Sequence, residues 1–294
     1  MGAFALVAAG VLVVSTPARQ EQGPSVSDRI DLAESIGRFV QDQPQDSGYQ
    51  APTQHERGVV ADGVRAVLGG HPAEAPDLLS PVGYSLRQVV DTGTGRPLYE
   101  LSDTSGSRRG WGRVLVDTDP AARTGIEVPH PKADLDSELL GVGLFRKVPG
   151  SVLVVAGAHR RAAPNRRADM AHATDSVFEA VHEVLAAQGV PVVQLHGYAN
   201  DSAPDNDMVV SSGPTLHGPL ADRVANALEA AGYAVCRPWV TRCPGLEATT
   251  NAQAQWSAAH GDEFVHVEVA RENRDSPQDR DRVVAALAQE LNGR

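Results

Sequence analysis

The stretch Val177-Phe178-Glu179-Ala180-Val181-His182-Glu183-Val184-Leu185, followed by Val190-Pro191-Val192-Val193-Gln194-Leu195-His196-Gly197-Tyr198, decides the fold class of this chain. In its first half, Val177, Phe178, Val181, Val184 and Leu185 recur at the spacing of one helix face. In its second half, an apolar run of strand length ends in His-Gly-Tyr. An amphipathic helix that feeds a mostly apolar strand is one step of an α/β sheet covered on both faces. The same alternation runs outward from residue 124 to the end. Strands are expected at Gly125–Pro129, Ser151–Ala156, Val190–Leu195, Met208–Ser211, Tyr233–Cys236 and Phe264–Val269. Helices are expected at 135–147, 170–188, 219–231, 249–259 and 277–291, the last burying Val283, Val284, Leu287 and Leu291. The reading is α/β, with a mixed, mainly parallel sheet and helices on both faces. No internal repeat interrupts it.

Upstream the pattern differs. Ala3 to Val14 is a run of twelve apolar or small residues, shorter than the about 20 that span a bilayer. Thr16-Pro17-Ala18 then offers small residues for cleavage, so residues 1–18 read as a signal peptide and the protein as exported. Residues 19–27 and 41–54 have linker composition. Between them, Ile30, Ala33, Ile36 and Val40 recur at helical spacing. Val59, Val60, Val64, Val67 and Leu68 mark a second helix that ends at Gly69-Gly70. Residues 71–82 read as loop. Tyr84 to Val90 and Pro97 to Leu101 read as a hairpin around Thr92-Gly93-Thr94-Gly95, with a further strand at Trp111–Val116. The division expected is therefore 1–18, an N-terminal part over 19–120 packed on the core, and an α/β domain over 121–294.

Composition excludes more than it proposes. With 26 Lys+Arg against 37 Asp+Glu the formal charge is −11, so no cation excess exists to neutralise nucleic-acid phosphates. Two cysteines exclude a cysteine-rich zinc module. Cys236 and Cys243 could pair in an oxidising compartment or remain thiols. No Gly-x-Ser-x-Gly elbow, phosphate loop or dinucleotide fingerprint is present. Gly141-Val142-Gly143 falls inside a helix, and His182-Glu183 has Ala186 where a His-Glu-x-x-His motif needs histidine.

Active groups in such sheets gather at the carboxyl ends of strands. There the chain places His130-Pro131-Lys132-Ala133-Asp134, then His159-Arg160, then His196-Gly197, and finally Val265-His266-Val267-Glu268-Val269. Imidazole and carboxylate are the usual ligands of a catalytic zinc, which takes three protein ligands and keeps one open position. His130 and His196 are candidate metal ligands, with Glu138 on the following helix or Asp134 in the turn supplying the carboxylate. Glu268 alternates with Val267 and Val269, so it points away from them and could act as general base. Each has a plainer rival: a histidine bonded to a carbonyl, an exposed helix carboxylate, a helix cap. His266 reads as a packed core histidine or a supporting residue. His172 and Asp175 read as capping or supporting groups.

This order of motifs resembles the zinc carboxypeptidase superfamily, including its succinylglutamate desuccinylase and aspartoacylase branch, and the related N-formylglutamate amidohydrolases. The resemblance covers residues 124–291. It implies zinc held by His130, Glu138 and His196, with Glu268 acting on the attacking water. The family's usual His-x-x-Glu fails here because position 133 is Ala133. That leaves Asp134 and Glu138 both open as second ligand, and marks a divergent member. Family arginines hold a substrate carboxylate, and Arg160, directly after His159, stands where the family places an Asn-Arg pair. His159 is a further ligand candidate if Glu138 is not one.

What the resemblance implies is a zinc-dependent hydrolase of an amide bond in a peptide, an N-acyl amino acid or a glutamyl-type polymer. The substrate would be a small molecule or peptide carrying a carboxylate, with no nucleic-acid partner and no membrane span in the mature chain. Two other readings stand beside it: a non-catalytic binding protein of the same fold, and a metal-dependent phosphoesterase.

Overall fold

The structure is a computed structural model. It describes residues 1–2, 28–105, 108–119, 124–243 and 245–292. The expected leader from Ala3 onward and the expected linker 19–27 lie outside the described residues.

The apolar runs pair into one sheet. Its strands are β1 Asp28–Ile30, β2 Tyr84–Asp91, β3 Pro97–Asp103, β4 Arg113–Asp117, β5 Gly125–Val128, β6 Val152–Val155, β7 Val192–Tyr198, β8 Met208–Ser211, β9 Val235–Cys236 and β10 Phe264–Ala270. Among the described residues they lie in the order β1-β2-β3-β4-β6-β5-β7-β10-β8-β9. The central four, β6-β5-β7-β10, run parallel, and β8 returns antiparallel beside β10. The helices are α1 Leu32–Gln41, α2 Gln54–Leu68, α3 Ala75–Leu79, α4 Ser137–Lys147, α5 Val177–Ala187, α6 Pro219–Ala230, α7 Ala252–His260 and α8 Pro277–Leu291. Helices α1, α4, α6 and α8 cover one face, packing Ile36, Leu140, Val224 and Leu287 against Ile126, Leu153 and Val267. Helices α2, α3, α5 and α7 cover the other, where Val64, Leu79, Phe178 and Ala254 meet Val154 and Val192.

The N-terminal hairpin continues this sheet. Antiparallel pairing of β4 with β6 joins β2, β3 and β4 to the parallel centre. The expected loop 71–82 contains α3. The segment expected to be a linker over 41–54 is strapped to the core instead. Lys132 Nζ donates to the carbonyls of Gln41 and Gln43 at 2.7 and 2.8 Å. Gln43 Nε2 donates to Ala156 O at 2.6 Å, and His159 N donates to Pro44 O at 3.0 Å. The strap thus crosses the ends of β5 and β6, the strands that deliver His130 and Arg160. Its Gln-Pro-Asp composition suits bonds to backbone, and Tyr49 adds an apolar anchor in the core.

Among the described residues, no helix is long and apolar enough to cross a membrane. Cys236 and Cys243 form a disulfide.

Gly141 and Gly143 find their reason in packing. A Cβ at Gly141 would lie 2.7 Å from Val128 Cγ2 and 3.1 Å from Leu153 Cδ1, and one at Gly143 would lie 3.1 Å from Val284 Cγ2. The bare backbone lets α4 sit close to both the sheet and α8. Gly141→Ala therefore opposes two effects. Better helix propensity favours it by about 1 kcal/mol, whereas overpacking a tight core costs about 1–3 kcal/mol. Urea unfolding of Gly141→Ala is expected to show net loss of stability; a gain would contradict the close approach.

Candidate functional site

The turn after β5 builds the first half of the site. Asp134 N donates to His130 O at 2.8 Å and Ala133 N to the same oxygen at 3.0 Å. This tight turn sets the His130 and Asp134 side chains side by side. The parallel register of β7 and β10 builds the second half, pairing Glu268 with His196 and His266 with Gln194. All four then share one face of the sheet, since side chains alternate along a strand.

The geometry converges on one point. Asp134 Oδ2 lies 3.2 Å from His196 Nδ1 and 3.6 Å from His130 Nδ1. The ligand atoms offered by His130, Asp134 and His196 lie within 4.8 Å of one another, and those of His196, His266 and Glu268 form a second such group. Each of the two imidazoles is anchored through its other nitrogen. His130 Nε2 donates to Asp169 Oδ1 at 2.7 Å, and His196 Nε2 bonds Gln194 Oε1 at 2.9 Å. A histidine held through one nitrogen by an oxygen acceptor, with the other facing a carboxylate, is the arrangement metal sites use to orient their ligands. Glu268 Oε2 and His266 Nδ1 are buried without a hydrogen-bond partner. Buried orphan groups carry a cost unless something else meets them, so the residues present fit a bound cation and its remaining ligand.

Burial and the neighbouring carboxylates act on these histidines in opposite directions. Burial works against the His130 charge, yet Asp134 and Asp169 beside it raise its pKa to about 9. Asp134 is held well below the carboxylate range against its burial, by His130 and His196. Asp169 is lowered in the same way by His130 and His172. Burial, with Asp134 nearby, pushes Glu268 up to about 8. Burial lowers His196, and lowers His266 well below the usual imidazole range. The neutral ring is the metal-binding form, which burial favours at His196 and His266, whereas a cation would displace a proton from His130.

The cavity over these groups has a volume of about 580 Å³ and is lined by His130, Asp134, Arg160, His196, His266 and Glu268, with the 245–251 segment opposite. Arg160 is exposed, and among the described residues it makes no salt bridge. Its guanidinium is free to meet an anion entering the cavity.

Two expected candidates stand elsewhere. Glu138 belongs to neither ligand group and does not line the cavity among the described residues. It lies in the first turn of α4, and the turn 130–134 brings Asp134 to the histidines first. His159 also stays outside: its Nδ1 accepts from Arg161 N at 3.1 Å.

No protein-family model matches the chain, and no curated protein matches it. In fold it is similar to several solved structures. A bacteriophage poly-gamma-glutamate hydrolase is 14% identical, covering 63% of this chain and 87% of that one, with a TM-score of 0.42. A metallo-carboxypeptidase from Burkholderia cenocepacia is 14% identical, covering 82% and 69%, with a TM-score of 0.39. A gene product from Agrobacterium tumefaciens is 14% identical, covering 61% and 92%, with a TM-score of 0.44. These likenesses are distant, and the chemistry rests on the side chains above.

Sequence reading passed over three residues of this site. Asp169 was absorbed into a helix expected from 170. The helix begins at Val177, capped by Ser176 Oγ accepting from Glu179 N at 3.0 Å, which leaves 168–176 as turns that carry Asp169 to His130. Gln194 carried a readable signal, a polar residue two before His196 inside an apolar strand. Arg274, just past β10, carried none. It is 2% exposed and donates to Val269 O and Tyr198 O at 3.1 Å each, and to Leu135 O.

Glu138 offers a stability test. Burial, with Asp136 adding to it, raises its pKa from 4.5 to about 7. Between those values the folded chain keeps a proton that the unfolded chain has lost, so stability falls as pH rises through that window. Glu138→Gln has no proton to lose. Its melting temperature is expected to gain on the parent's between pH 4.5 and about 8, and a gap independent of pH would contradict the shift.

Proposed function

We propose that this chain is a zinc-dependent hydrolase of an amide bond, in a peptide or N-acyl amino acid that carries a carboxylate. One observation carries the reading. His130 Nδ1, Asp134 Oδ2 and His196 Nδ1 face one point, beside a buried, unpartnered Glu268 carboxylate oxygen in the same cavity. Two imidazoles and a carboxylate are a three-ligand set suited to catalytic zinc. Asp134 takes the carboxylate position rather than Glu138. When bound, zinc would supply a Lewis acid that acidifies water and polarises the amide carbonyl.

The chain's own residues do the rest. Glu268 accepts a proton from the attacking water and returns it to the leaving nitrogen, so the amide C–N bond breaks to an acid and an amine. Burial raises its basicity, which favours proton uptake from the attacking water. Asp169 and Gln194 hold the two imidazoles in place. Arg160 at the cavity wall holds the substrate carboxylate through a charge-assisted pair. Export, proposed from the leader-like start, suits the Cys236–Cys243 disulfide, because such bonds persist in oxidising compartments.

Four variants test the assignment by metal analysis and by hydrolysis of N-acyl amino acids and glutamyl peptides. Asp134→Asn is expected to lose zinc, while Glu138→Gln keeps it. Glu268→Gln is expected to keep zinc and lose about 10²–10⁴ in kcat. Arg160→Ala is expected to raise KM about 10- to 100-fold with a smaller effect on kcat. Zinc lost in Glu138→Gln and kept in Asp134→Asn would reverse the ligand choice. Full activity in Glu268→Gln would remove the proposed base. Turnover of p-nitrophenyl phosphate with none of any amide would favour a phosphoesterase.

A further inference from the structure

Between the sheet and helices α5 and α7 lies a polar layer that extends behind the cavity and reaches its wall at Asn251. Glu127, Glu179, His182, Gln194, Asn251, Gln253 and Ser257 are all buried. Such a layer is costly unless each group is paired, and here the pairing has a direction.

Gln194 has two N–H donors and one carbonyl oxygen, and all are used. Its Nε2 donates to Glu127 Oε2 and Gln253 Oε1, each at 3.0 Å. Its Oε1 accepts from Asn251 Nδ2 at 2.6 Å and faces His196 Nε2 at 2.9 Å. The opposite amide orientation would set its oxygen against a carboxylate and a second carbonyl oxygen.

Two backbone groups that cannot flip fix the neighbours in turn. Ala254 N donates to Asn251 Oδ1 at 2.9 Å, which turns the Asn251 amide nitrogen toward Gln194. Met170 O accepts from Gln253 Nε2 at 3.0 Å, which turns the Gln253 oxygen toward Gln194. Glu127 is held from its far side by His182 Nδ1 at 2.9 Å, and His182 Nε2 meets Ser257 Oγ at 3.1 Å. The polarity therefore runs from the main chain through Asn251 and Gln253 into Gln194, and ends as an acceptor at His196 Nε2. An acceptor there requires hydrogen on Nε2 and leaves the Nδ1 lone pair bare.

We propose that Gln194 is a positioning residue that locks His196 in its Nε2–H tautomer and so presents Nδ1 to a cation at the His130–Asp134–His196 point. The proposal builds on the zinc reading above. Without the lock, Asp134 Oδ2, 3.2 Å from His196 Nδ1, would draw the proton onto the nitrogen that must bind metal. Outer partners of metal-bound histidines fix tautomer and ring orientation in this way.

The first measurement needs neither variant nor metal. Long-range ¹⁵N–¹H NMR of the full, metal-free protein at about pH 8, where an ordinary imidazole is neutral, reports the tautomer of each histidine. The His196 signal is assigned by its loss in His196→Asn. Nε2–H is expected, and Nδ1–H overturns the proposal. The second measurement is calorimetric titration with Zn²⁺ of folded Gln194→Met, which keeps side-chain length and lacks the polar groups. Zinc affinity is expected to fall about 10- to 100-fold, with the tautomer shifting toward Nδ1–H. Unchanged affinity overturns the proposal. Should Gln194→Met not fold, the wild-type tautomer still decides. Should the wild type bind no zinc, the proposed activity falls, and the tautomer reading stands or fails separately.

Discussion

The site depends on one buried cation. The Arg274 guanidinium bonds the carbonyls of Leu135, Tyr198 and Val269. Those carbonyls belong to the turn that carries His130 and Asp134, to the end of the strand that carries His196, and to the strand that carries Glu268. One side chain ties together the three segments whose side chains must converge. Burying such a charge is costly, and it persists only where its donors are met. Main-chain carbonyls meet them here, and the nearby Asp134 and Glu268 carboxylates favour the charge. Gly197 makes the seat possible, since a Cβ there would come within 2.1 Å of the guanidinium carbon. The glycine beside His196 is thus a space requirement.

Around that staple the sheet separates two jobs. One face of β5, β7 and β10 carries Ile126, Val193, Leu195, Val265 and Val267 into an apolar core under α4, α6 and α8. The other face carries Glu127, Gln194, His196, His266 and Glu268, ending at the cavity. Strand alternation alone produces this division. The N-terminal part serves the same end by another route. Its hairpin extends the sheet through β4, and its 41–50 strap pins the turns after β5 and β6 through Lys132, Gln43 and the His159 amide. The formal charge of −11 is a property of the whole chain, while Arg160 and Arg274 supply positive charge at the site.

Much of this was legible beforehand, for physical reasons. Helix α8 falls on Pro277–Leu291 as expected, because Ser276, Pro277 and the spacing of Val283, Val284, Leu287 and Leu291 all agree. His130, His196 and Glu268 stood out as polar residues at the ends of apolar strands. The choice between Asp134 and Glu138 was not legible, since it turns on how tightly the chain folds back after His130. Asp169 was hidden by an early helix start. Arg274 was hidden because its partners are carbonyls, which have no sequence signature. The segment 41–54 reads as linker for the same reason: most of the bonds that hold it go to main-chain groups, which composition does not record, and its one core aromatic, Tyr49, sets no period.

The proposed zinc belongs at the meeting point of His130, Asp134 and His196. Anomalous diffraction at the zinc edge, from crystals of the full chain equilibrated with Zn²⁺, tests this placement most directly. The expected result is a peak bonded to His130 Nδ1, Asp134 Oδ2 and His196 Nδ1, with Glu268 facing its open side. An empty cavity, or a zinc peak held by Glu138 instead of Asp134, would contradict it.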